Sequence, residues 1–205
     1  MKEFWDQRYS AEAYAYGREP NRFLKQSISA YNLKGKILLP AEGEGRNAVY
    51  AAKQGLEVFA FDISKAGKSK ALRLADIEKV NIHYELGDFF ELDLIQEQFD
   101  VAALIFAHFP VPVLSAYHQK IASMIKPKGY VVLEGFSENH LELRANNPKV
   151  GGPNKLEMLF SVEGIKKDFP HFEIIQLEEV EVELQEGAFH NGIGKVIRFI
   201  GRKPA

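Results

Sequence analysis

Short apolar runs alternate along the chain with amphipathic segments of helical period, and this alternation restricts the possible folds more than any other feature. The strands predicted from this pattern occupy residues 37–39, 58–61, 82–86, 99–106 and 130–133. Repeated strand–helix–strand units of this length favour a parallel sheet with helices on both faces. The sequence therefore predicts an α/β fold.

The predicted helices follow these strands, over residues 48–54, 65–78, 113–125 and 160–169. Ser64 is a suitable N-cap for the second helix, and Gly55 is a suitable C-cap for the first. The segment Lys126-Pro127-Lys128-Gly129 is expected to stop the third helix, because proline and glycine end helices.

The last third of the chain has a different pattern. Val180, Val182 and Leu184 alternate with glutamates, which indicates a strand with one buried face and one wet face. A loop is expected over 185–192, and a second strand over 195–200. We therefore predict a terminal antiparallel hairpin on an otherwise parallel sheet.

Length and charge narrow the organisation and the partners of the protein. At roughly 150 residues per domain, 205 residues predict one domain over 1–205, with an N-terminal helical or lid segment, 1–33, ahead of a core, 34–205. A net charge of −2 gives no electrostatic case for nucleic-acid or membrane partners. The longest apolar run, 101–107, is too short to span a bilayer.

The absence of cysteine excludes a disulfide scaffold, a thiolate zinc site and a cysteine nucleophile. No pair of histidines has metal-ligand spacing, so no metal is predicted. We expect a cytoplasmic protein, and the sequence leaves its oligomeric state open.

A glycine-containing turn and two acids follow the first three predicted strands. Gly43 and Gly45 follow the first strand, and Asp62 ends the second strand 19 positions after Gly43. In open parallel sheets ligands bind at these strand ends, where an acid such as Asp62 accepts hydrogen bonds from ribose hydroxyls. Asp88 follows the third strand and can accept from an exocyclic amine such as adenine N6, with Phe89 covering the ring. The sequence therefore predicts an adenosine-shaped ligand.

Two cofactors fit such a site. Gly43-x-Gly45-x-x-Ala48 with Asp62 satisfies the dinucleotide fingerprint, so an NAD(P)-dependent oxidoreductase remains an alternative. S-adenosylmethionine (SAM) has no pyrophosphate, and its methionine ammonium favours nearby acids. Glu42 and Glu44 would attract that ammonium and repel a pyrophosphate, which favours SAM.

Several motifs, spread over almost the whole chain, share the pattern of one family. They are Phe4-Trp5-Asp6-Gln7-Arg8-Tyr9, Tyr16-Gly17-Arg18-Glu19-Pro20-Asn21, Glu42-Gly43-Glu44-Gly45-Arg46-Asn47, Phe61-Asp62, Gly87-Asp88, Lys126-Pro127-Lys128-Gly129 and Glu186-Gly187-Ala188-Phe189-His190. With these motifs the chain resembles the class I SAM-dependent methyltransferases, and within them the branch of tellurite-resistance and thiopurine methyltransferases.

The chain departs from this family pattern at two places. An acid normally precedes the first of three glycines, whereas here Leu39 stands in the place of the acid and Ala41 in that of the first glycine. Glu42 is expected to supply the carboxylate from a shifted position. In the tellurite-resistance enzymes an arginine follows the histidine of the last loop, whereas here Asn191 follows His190.

The resemblance implies a Rossmann-like sandwich with a mostly parallel seven-stranded sheet whose last strand is antiparallel. It also implies SAM as cofactor, with S-adenosylhomocysteine (SAH) as product, Asp62 on the ribose and Asp88 on the adenine amine. The predicted cofactor-binding residues are Glu42, Gly43, Gly45, Arg46, Asn47, Asp62, Ile63, Asp88, Phe89, Phe106 and Tyr16.

Methyl transfer from a sulfonium needs mainly positioning and a dry site, and a base only if the acceptor loses a proton. His108 after the fourth strand and His190 in the predicted last loop are the candidate catalytic residues, while a bond to backbone is the alternative for each. We predict a methyltransferase acting on a small-molecule acceptor that the sequence does not identify. A SAM-binding protein without turnover is a further alternative.

Overall fold

Seven strands form one sheet in the computed structural model, which describes residues 1–92 and 98–205. The strands are β1 (Lys36–Pro40), β2 (Glu57–Asp62), β3 (His83–Leu86), β4 (Phe99–Ile105), β5 (Ile125–Phe136), β6 (Glu173–Glu186) and β7 (His190–Arg202). Their order is β3-β2-β1-β4-β5-β7-β6. Strands β1 to β5 pair in parallel, and β7 is antiparallel to both β5 and β6. The predicted α/β sheet with an antiparallel last strand is confirmed.

Helices connect the strands and pack on both faces of the sheet. They are α1 (Lys2–Arg8), α2 (Arg22–Ala30), α3 (Arg46–Lys53), α4 (Lys65–Ile77), α5 (Val111–Met124), α6 (His140–Asn146) and α7 (Val162–Asp168). Two short 3-10 turns, Pro148–Val150 and Leu156–Met158, follow α6. Ser64 caps α4 as predicted, because its hydroxyl accepts from the Gly67 N–H at 3.1 Å.

The central strands β1, β2, β4 and β5 are buried because each contributes to two hydrophobic clusters, whereas the edge strand β3 contributes only Tyr84 to one. In β1, Leu38 packs into a cluster with residues of α5 and α7, while Ile37 and Leu39 pack into a second cluster with residues of α2, α3 and α4. A strand with helices on both faces has no wet side, which explains its continuous apolar run.

The terminal hairpin is longer than predicted. Pairing between β6 and β7 continues to Glu186 and His190, so the connection is the turn 187–189 and His190 is the first residue of β7. His140 begins α6 and is buried. The residues 126–129 end the preceding helix as predicted, but they belong to β5.

Strand direction gathers the candidate residues at one edge of the sheet. The parallel strands β1 to β5 share a carboxyl edge, and β6 runs in the same direction because both β5 and β6 are antiparallel to β7. The connections after β1, β2, β3, β4 and β6 therefore all lie at this edge.

Among residues 1–92 and 98–205, no helix has the length and hydrophobicity that crossing a bilayer requires. Within the same residues, no three metal-ligating side chains of His, Cys, Asp or Glu cluster as a metal site.

Candidate active site

The loop between β1 and α3 is shaped by three residues in the left-handed region. Ala41 has φ +50°, Gly43 +64° and Gly45 +87°. A Cβ on Gly43 would lie 2.6 Å from the Tyr9 hydroxyl oxygen, and one on Gly45 would lie 2.5 Å from the Ala71 Cβ. Both glycines are therefore required by packing within the chain itself. Ala41 carries a steric cost of roughly 1–2 kcal/mol in this conformation.

Glu42 folds back onto the beginning of α3. Its Oε1 accepts from the backbone N–H groups of Asn47 and Ala48, both at 2.8 Å. Burial raises the pKa of Glu42 to about 7, although these hydrogen bonds and the charge of Arg46 oppose the shift. The carboxylate thus occupies the helix N-terminus, the position where anions bind.

Glu44 is also turned inward. Its carboxylate pairs with the Lys70 ammonium and accepts from the Ala15 N–H at 2.7 Å. Both carboxylates thus hold donors of the chain itself, and their expected contact with a methionine ammonium stays a prediction. Their visible role is to fix the shape of the loop.

Asp62 ties the end of β2 to this loop. Its Oδ2 accepts from the Gly43 N–H at 2.9 Å, and its Oδ1 accepts from the Ser64 N–H at 2.8 Å. Burial raises the pKa of Asp62 to about 6, against the opposing effect of these bonds. Each oxygen keeps acceptor capacity for a ribose hydroxyl. Ile63 follows directly and is half-buried.

Asp88 lies half-buried after β3, where its carboxylate accepts from the Phe90 N–H at 3.0 Å and from the Tyr117 hydroxyl. The prediction that Phe89 covers a ligand ring is corrected. Phe89 is fully buried and stacks on Phe61 at 5.0 Å between ring centroids. Phe90, which the sequence analysis did not select, is the exposed aromatic residue beside Asp88.

An N-terminal cover, residues 2–17, lies over the glycine loop. It is attached through Asp6, whose Oδ1 accepts from the Ser64 hydroxyl at 2.7 Å and from the Ala66 N–H at 3.1 Å. Tyr9 is the residue of the cover that contacts Gly43. Tyr16 stands beside His190 instead, with 4.5 Å between ring centroids, and its hydroxyl accepts from Arg8 at 3.2 Å.

A second polar cluster lies where β5 and β6 end. Glu186 Oε2 accepts from Arg46 Nη2 at 2.9 Å and from His190 Nδ1 at 3.0 Å. The Asn21 amide donates to Glu134 Oε1 at 2.7 Å and to Glu186 Oε1 at 3.3 Å. Arg46, predicted to bind the cofactor, therefore points toward His190 and connects α3 with the hairpin. Asn47, the other predicted residue of this turn, receives the Asn21 N–H at 2.9 Å on its side-chain oxygen.

The pKa shifts in this cluster have identifiable causes. Burial alone raises the pKa of Glu186, but the hydrogen bond from His190 and the charge of Arg46 outweigh it and hold that pKa at about 2. Burial lowers the pKa of His190, which Glu186 opposes. Burial raises the pKa of Glu134, although Arg198 donates to it. The pKa of Glu134 stays raised although Arg198 and Asn21 both donate to it, because burial and the neighbouring Glu186 charge outweigh these donors.

Phe106 supports this cluster from the end of β4. It is a non-glycine residue at φ +52°, and its ring lies 4.5 Å from His190 between centroids. Strained backbone of this kind is characteristic of functional sites. Phe106, predicted to contact the cofactor, thus forms a wall beside His190 together with Tyr16.

His108 differs from His190 in that backbone groups occupy both its ring nitrogens. Nδ1 lies 2.8 Å from the Met158 carbonyl oxygen, and Nε2 accepts from the Phe136 N–H at 3.0 Å. Burial lowers the pKa of His108 to about 3. This geometry corrects the catalytic prediction for His108 and favours the structural alternative.

A histidine–acid pair also occurs away from the strand ends. His118 on α5 contacts Asp168 on α7 through Nδ1 at 2.6 Å, and its buried Nε2 has no partner among the described residues. The pair joins two helices within the hydrophobic cluster that contains Tyr117 and Ile165. A histidine paired with an acid is therefore not by itself a catalytic feature.

No site role was predicted from the sequence for Tyr9, Asn21 or Glu186, although they lie in the family motifs, and Glu134 was not selected at all. Glu186 and His190 are four residues apart across a glycine-containing turn, so a longer predicted hairpin would have brought them together. The Asn21–Glu134 contact joins residues 113 positions apart and has no local signal.

Comparison with known proteins supports a methyltransferase. Residues 37–129, which include the glycine loop, Asp62 and Asp88, match the profile of the methyltransferase domain family. No curated protein sequence matches the chain.

Solved structures share the fold along the whole chain. A protein described for the conversion of a disulfide bond into a thioacetal group during echinomycin biosynthesis superposes with TM-score 0.81 and 19% identity, covering 100% of this chain and 92% of that one. TehB from Haemophilus influenzae superposes with TM-score 0.71 and 17% identity, covering 98% of this chain and 66% of TehB. Magnesium protoporphyrin IX methyltransferase (ChlM) from Synechocystis PCC 6803, with bound SAH, gives TM-score 0.66 and 15% identity, covering 88% and 80%. At these identities the likeness shows the Rossmann-like methyltransferase fold. Together with the domain match, it supports SAM as the cofactor.

Proposed function

We propose that this protein is a SAM-dependent methyltransferase that transfers a methyl group to a small-molecule acceptor and releases SAH. The observation that carries the proposal is the convergence of the glycine loop, Asp62 and Asp88 at one sheet edge, within the stretch that matches a methyltransferase domain. Ligands of open α/β sheets bind at this edge.

The residues at this edge fit SAM better than a dinucleotide. Asp62 retains acceptor capacity for a ribose diol, and the half-buried Asp88 is accessible to an amine. The N-terminus of α3, which would hold a pyrophosphate in a dinucleotide enzyme, already accommodates the Glu42 carboxylate. This carboxylate disfavours the NAD(P)-dependent alternative. Ile63 completes the proposed adenosine contacts.

When bound, SAM supplies an activated methyl group: the bond from sulfur to methyl breaks as a lone pair of the acceptor forms the new bond, and SAH leaves. The chain's part is to orient the acceptor and, where the acceptor carries a proton, to remove it. We assign proton removal to His190, because Glu186 engages its Nδ1 and leaves Nε2 to face an acceptor. Phe106 and Tyr16 limit the access of water to its ring.

The class of acceptor remains part of the proposal. The motifs ending in Phe189-His190 resemble the tellurite-resistance and thiopurine-methyltransferase branch, and the fold likeness to TehB is consistent with that branch. Asn191 in place of arginine argues against assuming an oxyanion acceptor. A cytoplasmic location is proposed on composition alone.

Calorimetric titration with SAH, with NADH and NADPH in parallel, tests the cofactor. We expect micromolar binding of SAH and no nicotinamide signal. Nicotinamide binding without SAH binding would overturn the proposal. An acceptor screen with radiolabelled SAM then separates an enzyme from a SAM-binding protein without turnover, which would bind SAH and label nothing.

A further inference from the structure

We propose that Glu186 and Arg46 are positioning residues that fix the orientation and the tautomer of His190. The inference rests on the proposed methyl transfer and deepens it. It assigns no contact with substrate to either residue, because both act through the histidine ring.

One carboxylate oxygen of Glu186 binds both Arg46 and His190. Glu186 Oε2 accepts from both Arg46 Nη2 and His190 Nδ1. An ionised carboxylate can only accept, so His190 Nδ1 must carry its proton. In the neutral imidazole Nε2 is then the unprotonated nitrogen, which is the form that a proton acceptor requires.

The His190 imidazole ring is confined by neighbouring aromatic rings. Tyr16 and Phe106 each lie 4.5 Å from the His190 ring between centroids, so the ring is confined on two sides. A Cβ on Gly151 would lie 2.6 Å from His190 Cδ2 and 3.2 Å from Nε2. Gly151 therefore leaves the side of Nε2 free of a side chain, while Glu186 anchors the opposite side.

Arg46 connects this cluster with the glycine loop. Arg46 is the first residue of α3, and the next two residues of that helix hold Glu42 through their N–H groups. The guanidinium is buried, with 9% of the side chain exposed, and so is the Glu186 carboxylate at 13%. This buried pair therefore connects the start of α3, which follows the glycine loop, to the hairpin that carries His190.

Charge determines the expected effect of removing Glu186. The titratable or charged groups around His190 are Glu186, Arg46, His140, His108 and Tyr16. Only Glu186 among them favours the imidazolium, while burial, Arg46 and His140 disfavour it. Neutralising Glu186 should therefore lower the pKa of His190 further and release its tautomer.

The experiment uses the full chain with ¹⁵N-labelled histidine and long-range ¹H–¹⁵N spectra. In the wild type we expect His190 protonated at Nδ1 and bare at Nε2. Glu186→Gln should populate the other tautomer and lower the pKa, and Glu186→Asp should retain the wild-type tautomer. Glu181→Gln, the same change at an exposed position of β6, is the matched control and should leave the His190 signals unchanged.

Kinetics supply the second readout. With an acceptor identified, Glu186→Gln should lower kcat roughly 10- to 100-fold while the KM for SAM stays unchanged, and Glu186→Asp should restore most of kcat. Arg46→Lys keeps the charge and should lie between them. If Glu186→Gln does not fold, as judged by thermal unfolding, Glu186→Asp and Arg46→Lys provide the comparison.

The positioning role would be overturned by an Nε2–H tautomer in the wild type, or by His190 signals that do not respond to Glu186→Gln. Its failure is distinguishable from failure of the proposed function, since the tautomer is measured without cofactor. A wild type that keeps the Nδ1–H tautomer but does not bind SAH would overturn the methyl-transfer proposal and, with it, the positioning role.

Discussion

The carboxyl edge of the sheet has two halves that treat buried carboxylates in opposite ways. In the loop half, Glu42 and Asp62 bond to backbone N–H groups, and burial raises their pKa values to about 7 and about 6. In the hairpin half, Glu186 bonds to a guanidinium and an imidazole, and its pKa falls to about 2. Backbone dipoles hold Glu42 and Asp62, whereas a guanidinium charge and an imidazole N–H hold Glu186.

This difference matches two different tasks. Carboxylates held by amides fix the conformation of a loop and retain acceptor capacity for neutral hydroxyls or amines. A carboxylate held between a guanidinium and an imidazole N–H stays ionised and orients the titratable ring. The two halves meet at α3, because Arg46 and Asn47 are adjacent and contact Glu186 and Glu42 respectively.

The largest expected effect is in the hairpin half. His190→Asn should reduce turnover roughly 10²- to 10⁴-fold, the usual contribution of a general base, and leave SAH affinity nearly unchanged. The measurement is kcat with the acceptor found in the screen, beside calorimetry with SAH. His83→Asn, at an exposed histidine, is the control. Full turnover in His190→Asn would assign the histidine to structure alone.

The complementary change lies in the loop half. Asp62→Ala should weaken SAH binding by roughly 1.5–3 kcal/mol, because hydrogen bonds to a charged group are lost. Isothermal calorimetry measures the change directly, and Asp76→Ala on the exposed face of α4 should have no effect. If SAH affinity survives in Asp62→Ala, this acid is not at the ribose.

The pH dependence of stability separates the halves without any ligand. Because the pKa of Glu42 is raised to about 7, the folded state binds more protons than the unfolded state between pH 4.5 and 7, and stability falls as pH rises through that window. The lowered pKa values of His108 and His190 contribute a slope of opposite sign, so the measurement is the difference between the wild type and Glu42→Gln in urea titrations. We expect the contribution of Glu42 to the unfolding free energy to fall by about 2 kcal/mol from pH 5 to 8, and Glu42→Gln to lack this contribution.

The sign is opposite for Glu186. Its pKa is lowered from 4.5 to about 2, so its stabilisation is complete above pH 4.5 and is lost as pH falls toward 2. The same pH dependence of unfolding free energy in the wild type and in Glu42→Gln would contradict the charge assignment of Glu42.

The smallest effect concerns Ala41. Ala41→Gly removes the steric cost at φ +50° but adds freedom to the unfolded chain, so a net gain of about 0.5 kcal/mol is expected in urea unfolding. Ala52→Gly, the same change inside α3, should instead cost about 1 kcal/mol. Equal losses in both variants would mean that Ala41 is unstrained.

Much of the loop half was predictable because its signals are local. Apolar runs indicated the strands, and the parallel order that follows from strand–helix alternation put Gly43, Asp62 and Asp88 at neighbouring strand ends. Side-chain direction was not predictable in the same way. Glu42 and Glu44 point inward and Phe89 is buried because of partners elsewhere in the chain.

The α/β sheet, its antiparallel end and the strand ends with polar residues could be predicted from the sequence, because periodicity and turn residues act over a few positions. Which charged side chains pair with one another depends on contacts between distant segments of the folded chain. Arg46 and Glu186 are 140 positions apart, and Asn21 and Glu186 are 165 apart. Such pairs form only when the completed sheet brings distant segments to one edge and burial makes an unpaired charge costly. His190 lies in such a network through Glu186, whereas both ring nitrogens of His108 contact backbone groups.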